Sequence, residues 1–219
     1  MECQLSTYCK LYPKGCNILC SAYVLADIAY KFSNIPARYQ YSKKLIVRQE
    51  DEDTYNRISK IISSIDTFIN TGSSILLYGS NKGNGKTTLA CLMANAYIRY
   101  RLKNEYNLTP IVYFIKSSKF LEDYRQQFKE SDGNFKHVLD LVENIPLLII
   151  DDIGAEKPTD WVKERLLDLI DERYGNNRST IFTSNCDINM IESNLGERIS
   201  DRIREYERLE FKSPSMRGM

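Results

Sequence analysis

The sequence predicts an α/β fold in which helices cover both faces of a doubly wound parallel sheet. Short apolar runs suited to buried strands alternate along the chain with longer stretches whose apolar residues recur at helical spacing. Strands that alternate with helices in this way form parallel sheets. The predicted strands are residues 75–78, 111–115, 147–152, 180–185 and 208–211. Ligands of such sheets bind at the carboxyl ends of the strands, where Gly79, Asp151 and Asn185 lie.

Composition places few limits on function. The 219 residues suffice for one domain and a small appendage, and 30 basic against 29 acidic residues give a net charge of +1. Overall charge therefore neither favours nor excludes nucleic acid, and any such binding depends on local patches. The longest apolar stretch, residues 18–30, is interrupted by Asp27 and too short to span a membrane. We expect a cytoplasmic protein without a membrane partner.

The first 33 residues are predicted to form a cysteine-rich arm, and residues 34–219 the main domain. Four cysteines crowd into the arm: Cys3, Cys9, Cys16 and Cys20. Four thiolates can close a tetrahedral Zn²⁺ site, and an iron–sulfur cluster is the alternative. Four unligated thiols on a short arm remain a third possibility.

A helix precedes the first predicted strand. It begins in the acidic run 50–53, where negative charge meets the positive end of the helix dipole. Thr71 and Gly72 end it. Its apolar face consists of Tyr55, Ile58, Ile61, Ile62, Ile65, Phe68 and Ile69.

A phosphate-binding loop connects the first strand to the next helix. Glycines let the backbone wrap a phosphate so that successive N–H groups point inward, and the helix N-terminus adds partial positive charge. Lys86 would reach the β- and γ-phosphates, and the Thr87 hydroxyl would ligate Mg²⁺. The strict phosphate-loop pattern has glycine at the position that Ser80 occupies in this chain, so the loop either tolerates Ser80 or carries an extra residue. The predicted nucleotide ligands are Gly79, Ser80, Asn81, Lys82, Gly83, Asn84, Gly85, Lys86, Thr87, Thr88 and Asp151.

The third and fourth predicted strands end in polar residues. Asp151 stands where a second nucleotide motif places its Mg²⁺-associated acid. Asp152 occupies the position of a water-orienting glutamate but is one methylene shorter, and its alternative role is a cap or turn residue. Asn185 can hydrogen-bond the γ-phosphate or the attacking water, or simply form a turn.

Five motifs together resemble the AAA+ replicative-helicase loaders of the DnaC and DnaI type, particularly phage-encoded versions. The resemblance covers residues 35–217. The motifs are Gly-Asn-Gly-Lys-Thr-Thr (83–88), Asp-Asp-Ile-Gly-Ala-Glu (151–156), Thr-Ser-Asn (183–185), Leu-Gly-Glu-Arg-Ile-Ser-Asp-Arg-Ile (195–203) and Ser-Met-Arg (215–217).

The resemblance implies an AAA+ ATPase without a helical lid that assembles as a homo-oligomer and uses ATP and Mg²⁺. It also implies that the protein grips single-stranded DNA and delivers a replicative helicase onto it. Among the catalytic residues, Asp152 belongs to the acidic pair and Asn185 is the first sensor. Arg202 resembles the arginine finger that reaches a neighbour's ATP, and Arg217 resembles the second sensor. Arg198 is a weaker candidate for either role. Arg198 and Arg202 would otherwise form part of a solvated charged face.

By position in these loaders, two segments face the DNA pore. They contain Lys157, Thr159 and Trp161, and Phe128 with Lys129. Aromatic faces that stack on bases and lysines that meet phosphates suit sequence-tolerant single-strand binding. Alternatively, Phe128 continues an apolar helical stripe, and Trp161 staples its helix to the preceding loop.

Two other functions stay open. One is a transposition-helper ATPase of the IstB type, built on the same core but serving a transposase. The other is a nucleotide-binding scaffold with little turnover, which the short side chain of Asp152 keeps possible.

Overall fold

The computed structural model describes residues 6, 20–41, 47–104, 110–127, 133–155 and 158–215. Within them the five strands form one parallel sheet in the order β2-β3-β4-β1-β5, which confirms the predicted fold class. The strands are β1 (Ile75–Tyr78), β2 (Val112–Lys116), β3 (Leu147–Asp151), β4 (Ser179–Ser184) and β5 (Glu207–Glu210).

Helices cover both faces of the sheet. They are α1 (Ser21–Phe32), α2 (Glu52–Ser63), α3 (Ile65–Asn70), α4 (Lys86–Asn104), α5 (Ser117–Gln127), α6 (Gly133–Asn144), α7 (Asp160–Gly175), α8 (Ile188–Leu195) and α9 (Glu197–Arg204). Strand β1 shows the two-sided burial directly. Ile75 and Leu77 pack into one core with α1–α4, whereas Leu76 packs into a second core with α5–α9. This alternation follows from the two-residue period of a strand.

The helix predicted before β1 is divided into α2 and α3 at Ser64. Ser64 has φ −127° and ψ 41°, outside the helical region. The hydroxyls of Ser63 and Ser64 both donate to the Lys60 carbonyl, at 2.7 and 3.2 Å. Serine side chains compete in this way with backbone hydrogen bonding. The predicted apolar face is nevertheless buried at Tyr55 and at the isoleucines 58, 61, 65 and 69.

Helix α1 packs against the first core of the main domain, although the sequence assigns it to the arm. Ala26 and Tyr30 are buried in the first core. Beyond the helix, the Phe114 N–H donates to the Ser33 carbonyl at 2.8 Å, and the Asn34 side-chain amide donates to the Phe114 carbonyl at 2.7 Å. Residues 33 and 34 thus cover the outer edge of β2. No helix in the described part of the chain is long and apolar enough to cross a membrane.

Candidate nucleotide-binding site

A cleft of about 570 Å³ lies at the carboxyl ends of the strands. Its lining comes from the phosphate loop, the first turn of α4, the ends of β2, β3 and β4, and the short 3-10 helix Ala37–Tyr39. The predicted residues that line it are Lys82, Gly83, Asn84, Gly85, Lys86, Thr87, Thr88, Asp151, Asp152 and Asn185. The fold therefore brings the phosphate loop and both strand-end motifs into one cavity.

The loop explains why serine is accommodated at position 80. A Cβ on Gly79 would lie 2.2 Å from the Phe211 carbonyl oxygen, so the close approach of the chain after β5 requires glycine at residue 79. Ser80 is exposed and is not among the described residues with positive φ. Gly83 and Gly85, with φ of 80° and 101°, supply the left-handed conformations. The chain thus tolerates Ser80 without strain.

Lys86 is buried at the base of this loop. Its ammonium donates to the Gly79 carbonyl at 2.8 Å, the Asn81 carbonyl at 3.1 Å and the Asn84 side-chain oxygen at 3.0 Å. Burial lowers the pKa of Lys86 to about 8, against the opposing influence of Asp152, Asp151 and Asp51. A buried ammonium held by neutral acceptors would gain an anionic partner when a phosphate binds.

The donor set beside Lys86 suits Mg²⁺. The hydroxyls of Thr87 and Thr183 each donate to the same oxygen of Asp151, both at 2.7 Å. Asp151 is buried, and it forms no direct ion pair with a described residue. A buried carboxylate beside a threonine hydroxyl provides the hard oxygen ligands that Mg²⁺ prefers. Thr87 and Asp151 would hold the ion, which would neutralise phosphate charge when bound.

Asp152 and Asn185 form a second polar pair at the cleft surface. The Asn185 amide donates to the Asp152 carboxylate at 2.5 Å. Asp152 has φ +63°, a strained conformation for a residue other than glycine, and its N–H donates to the Thr183 hydroxyl at 2.9 Å. The turn holds the carboxylate in the cleft, and α7 begins only at Asp160, so Asp152 caps no helix.

The family comparison agrees with this geometry. Residues 39–217 match the family described as IstB-like ATP binding protein. The chain is a member of that family. Its nucleotide-binding core is an IstB/DnaC-like AAA+ domain, which confirms the resemblance carried by the five sequence motifs.

Similar proteins of this AAA+ family include two named replicative helicase loaders. DnaC of Escherichia coli K12 is 27% identical over 157 residues, which cover 72% of this chain and 60% of DnaC. DnaI of Bacillus subtilis is 30% identical over 115 residues, covering 52% of this chain and 33% of DnaI. An insertion-sequence IS1162 putative ATP-binding protein of Pseudomonas fluorescens is 33% identical over 111 residues, which cover 51% of this chain and 43% of that protein. The chain therefore matches about 60% of the DnaC length.

Solved structures share the fold. The DnaC helicase loader superposes with a TM-score of 0.67 at 25% identity, covering 81% of this chain and all of that one. DnaI superposes with a TM-score of 0.63 at 22% identity, covering 81% of this chain and 95% of that one.

Several tertiary contacts near the phosphate loop were not predicted from the sequence. Asp51 is buried and accepts hydrogen bonds from the N–H groups of Lys212, at 2.6 Å, and Ser213. The Asn81 amide donates to the carbonyls of the same two residues. Asp51 thus holds the chain after β5 against the phosphate loop. The acidic run 50–53 predicted only the start of a helix, because no local sequence pattern indicates a contact between residues so far apart in the chain.

The two candidates for the arginine finger, Arg198 and Arg202, lie on α9 and do not line the cleft. Arg202 donates to Asp171 at 2.6 Å, approaches Glu205 and stacks over the Tyr174 ring at 5.3 Å. Arg198, one turn earlier, is exposed and forms no ion pair with a described residue. Arg202 is therefore bound within its own chain, whereas Arg198 is available to another molecule.

Of the predicted DNA and metal residues, Trp161, Thr159 and Cys20 fall in the described ranges. Trp161 is half-buried and packs against the second core, while Thr159 is exposed just before α7. Cys20 is a half-buried free thiol. The remainder lie outside the described residues: Cys3, Cys9, Cys16, Phe128, Lys129 and Lys157. The predicted second sensor, Arg217, also lies outside them. The metal site and the DNA contacts stay predictions.

Nucleotide affinity should fall as the pH rises through the pKa of Lys86, which is about 8. Below that pH Lys86 is charged in the free protein; above it, the free protein loses a proton that the phosphate-bound form keeps. Affinity should then weaken by up to about tenfold per pH unit. Calorimetry in two buffers of different ionisation enthalpy should show proton uptake on binding above this pH. A flat profile without proton uptake would contradict the depressed pKa.

Proposed function

We propose that this protein is an ATPase that loads a replicative DNA helicase onto single-stranded DNA. The observation that carries the proposal is the convergence of Lys86, Thr87, Asp151, Asp152 and Asn185 on one cleft in a chain related to DnaC and DnaI. The loaders' names supply the helicase as partner, and their bacterial origin suggests action in the cytoplasm.

ATP would bind with its phosphates in the loop and its terminal phosphate near Asp152 and Asn185. The carboxylate of Asp152 would orient the attacking water, and the Asn185 amide would hold the carboxylate or contact the terminal phosphate. Positioning and electrostatic stabilisation account for most catalysis of phosphoryl transfer. The side chains on the cleft are suited to these roles.

Assembly would complete the site. Because Arg198 is exposed and without a described ion-pair partner, we propose that it reaches the ATP of a neighbouring subunit. Arg202, which the resemblance favours, would first have to leave Asp171. Arg217 remains the proposed second sensor. Lys157, Thr159, Trp161 and Phe128 with Lys129 remain proposed DNA contacts, although the partial burial of Trp161 favours packing as part of its role.

Asp152→Asn should leave ATP affinity within about threefold of the parent value and reduce hydrolysis at least tenfold. The amide keeps the size of the side chain but lacks the carboxylate charge that orients water. Steady-state phosphate release and nucleotide titration would separate the two effects. Normal hydrolysis by the variant would remove Asp152 from catalysis and favour the alternative of a turn residue.

A second function is favoured by the family description and by the insertion-sequence relative. In that case the same ATPase core would serve a transposase. Immobilised protein with ATP should be offered purified replicative helicase and purified transposase separately. Retention of the helicase alone supports loading, and retention of the transposase alone supports the transposition role. ATP binding with no retained partner and no turnover would support the scaffold.

A further inference from the structure

Residues 33–41 form one wall of the nucleotide cleft and are held there by hydrogen bonds from two elements. Phe114 of β2 bonds both Ser33 and Asn34, as described above. The Asn95 amide on α4 donates to the Tyr39 carbonyl at 2.8 Å. The segment is therefore fixed both to the sheet edge and to the helix that carries the phosphate-loop lysine.

Arg38 is the charged residue of this wall. Its guanidinium lies 4.3 Å from the centre of the Tyr39 ring and donates to the Tyr39 hydroxyl. Arg38 is exposed, lines the cleft and forms no ion pair within the described part of the chain. An arginine stacked on an aromatic ring keeps most of its donors available and is partly pre-organised for a planar or tetrahedral anion.

The charge around Arg38 favours an anion. Lys82 and Lys116 also line the cleft, and neither forms an ion pair with a described residue. With Lys86, four cationic side chains line the cleft against two acidic ones, Asp151 and Asp152, so the cleft is more positive than the whole chain, whose net charge is +1. The electrostatic influence of Arg38 extends to α4, where it opposes the burial that raises the pKa of Cys91.

The sheet order fixes which end of a bound nucleotide Arg38 would meet. The phosphate loop follows β1, and β4 and β3 separate it from β2. Lys116 ends β2 in register with Asp151. Arg38 lines the same cleft, and its segment is hydrogen-bonded to Phe114 of β2, so it approaches the cleft from the side of the sheet that carries β2 and β3. This is the side toward which the terminal phosphate extends if the Asp152 assignment is right.

We propose that Arg38 contacts the terminal phosphate of ATP bound to its own chain, so that the 33–41 segment distinguishes ATP from ADP. The proposal rests on the proposed ATPase function and adds a same-chain cation to that site. Because residue 33 directly follows α1, contact with the terminal phosphate would also transmit the nucleotide state to α1.

The test compares the dissociation constants of ATP and ADP for the wild-type protein and Arg38→Gln, at dilutions where the chain is monomeric. Arg165→Gln is the charge-matched control, because Arg165 pairs with Asp168 on α7 and does not line the cleft. Losing one charge-assisted phosphate contact should weaken ATP binding about tenfold or more, with ADP binding changed less than about threefold. Arg38→Lys should recover part of the difference, and thermal unfolding checks that each variant folds.

Hydrogen exchange supplies a readout independent of affinity. ATP should slow exchange in residues 33–41 and in α1 more than ADP does, and Arg38→Gln should abolish that difference. Equal weakening of ATP and ADP, or no change in either, would overturn the proposal. A loss of ATP preference seen only in assembled protein would overturn the same-chain contact. Lys86→Ala separates failure of this proposal from failure of the proposed function. If Lys86→Ala binds ATP as tightly as the wild-type protein, the proposed function fails, whatever the result for Arg38.

Discussion

Arg198→Ala is expected to bind ATP normally and to hydrolyse it roughly a thousandfold more slowly, because a trans-acting arginine stabilises charge on the transferred phosphoryl group. Arg202→Ala should have the smaller effect, since Arg202 is bound to Asp171 within its own chain. Phosphate release measured at protein concentrations that support assembly would compare the two variants, each with a nucleotide titration.

A mixing experiment tests whether Arg198 acts between chains. Arg198→Ala and Lys86→Ala chains are each inactive alone, but a mixed interface pairs an intact phosphate loop with an intact Arg198. Activity should therefore return on mixing, with a maximum near equal proportions. If no ratio restores activity, Arg198 acts within its own chain or not at all. If Arg202→Ala slows hydrolysis more than Arg198→Ala does, Arg202 is the trans-acting arginine instead.

Lys86→Ala should weaken ATP binding about a hundredfold or more, because a charge-assisted phosphate contact inside a preformed anion site is lost. The substitution also leaves the Gly79 and Asn81 carbonyls and the Asn84 side-chain oxygen without their shared donor. Lys82→Ala is a suitable control, because Lys82 is an exposed lysine of the same loop.

Calorimetric titration with ATP would measure both variants. Lys82→Ala should stay within about fivefold of the parent, as expected for one exposed charge screened by solvent. Thermal unfolding would show whether the Lys86 variant is folded. Equal losses in the two variants would mean that general electrostatic attraction, and not a specific contact of Lys86, governs binding.

The phosphate loop and the strand-end acids could be predicted because their chemistry is local. A short apolar strand, glycines at fixed spacing and the Gly-Lys-Thr sequence specify the position of Lys86 relative to its own loop. Similarly, the parallel sheet places the ends of β3 and β4 at one edge, so the proximity of Asp151 and Asn185 follows from topology.

Residues that reach the site from distant parts of the chain could not be predicted. Arg38 enters the cleft because Phe114 and Asn95 hold the 33–41 segment, and these partners lie far along the sequence. Asp51 reaches the chain after β5 through a similarly distant contact, with the N–H of Lys212.

Arg173 shows the same limit outside the site. It is fully buried, with hydrogen bonds to the carbonyls of Val142 and Ile145 and to the Thr180 hydroxyl. It therefore joins α7 to the end of α6 and to β4. From the sequence it reads as an ordinary charged residue at the end of a helix, because no periodic pattern distinguishes an arginine buried among carbonyls from an exposed one.

Reconstituted helicase loading tests the central claim most directly. Purified replicative helicase is incubated with a circular single-stranded DNA, ATP and either the wild-type protein or Lys86→Ala, and DNA-bound helicase is measured after gel filtration. The account predicts that the wild-type protein raises the amount of bound helicase several-fold and that Lys86→Ala does not. The loader function would be contradicted if the wild-type protein binds ATP normally but the amount of DNA-bound helicase is the same as without it.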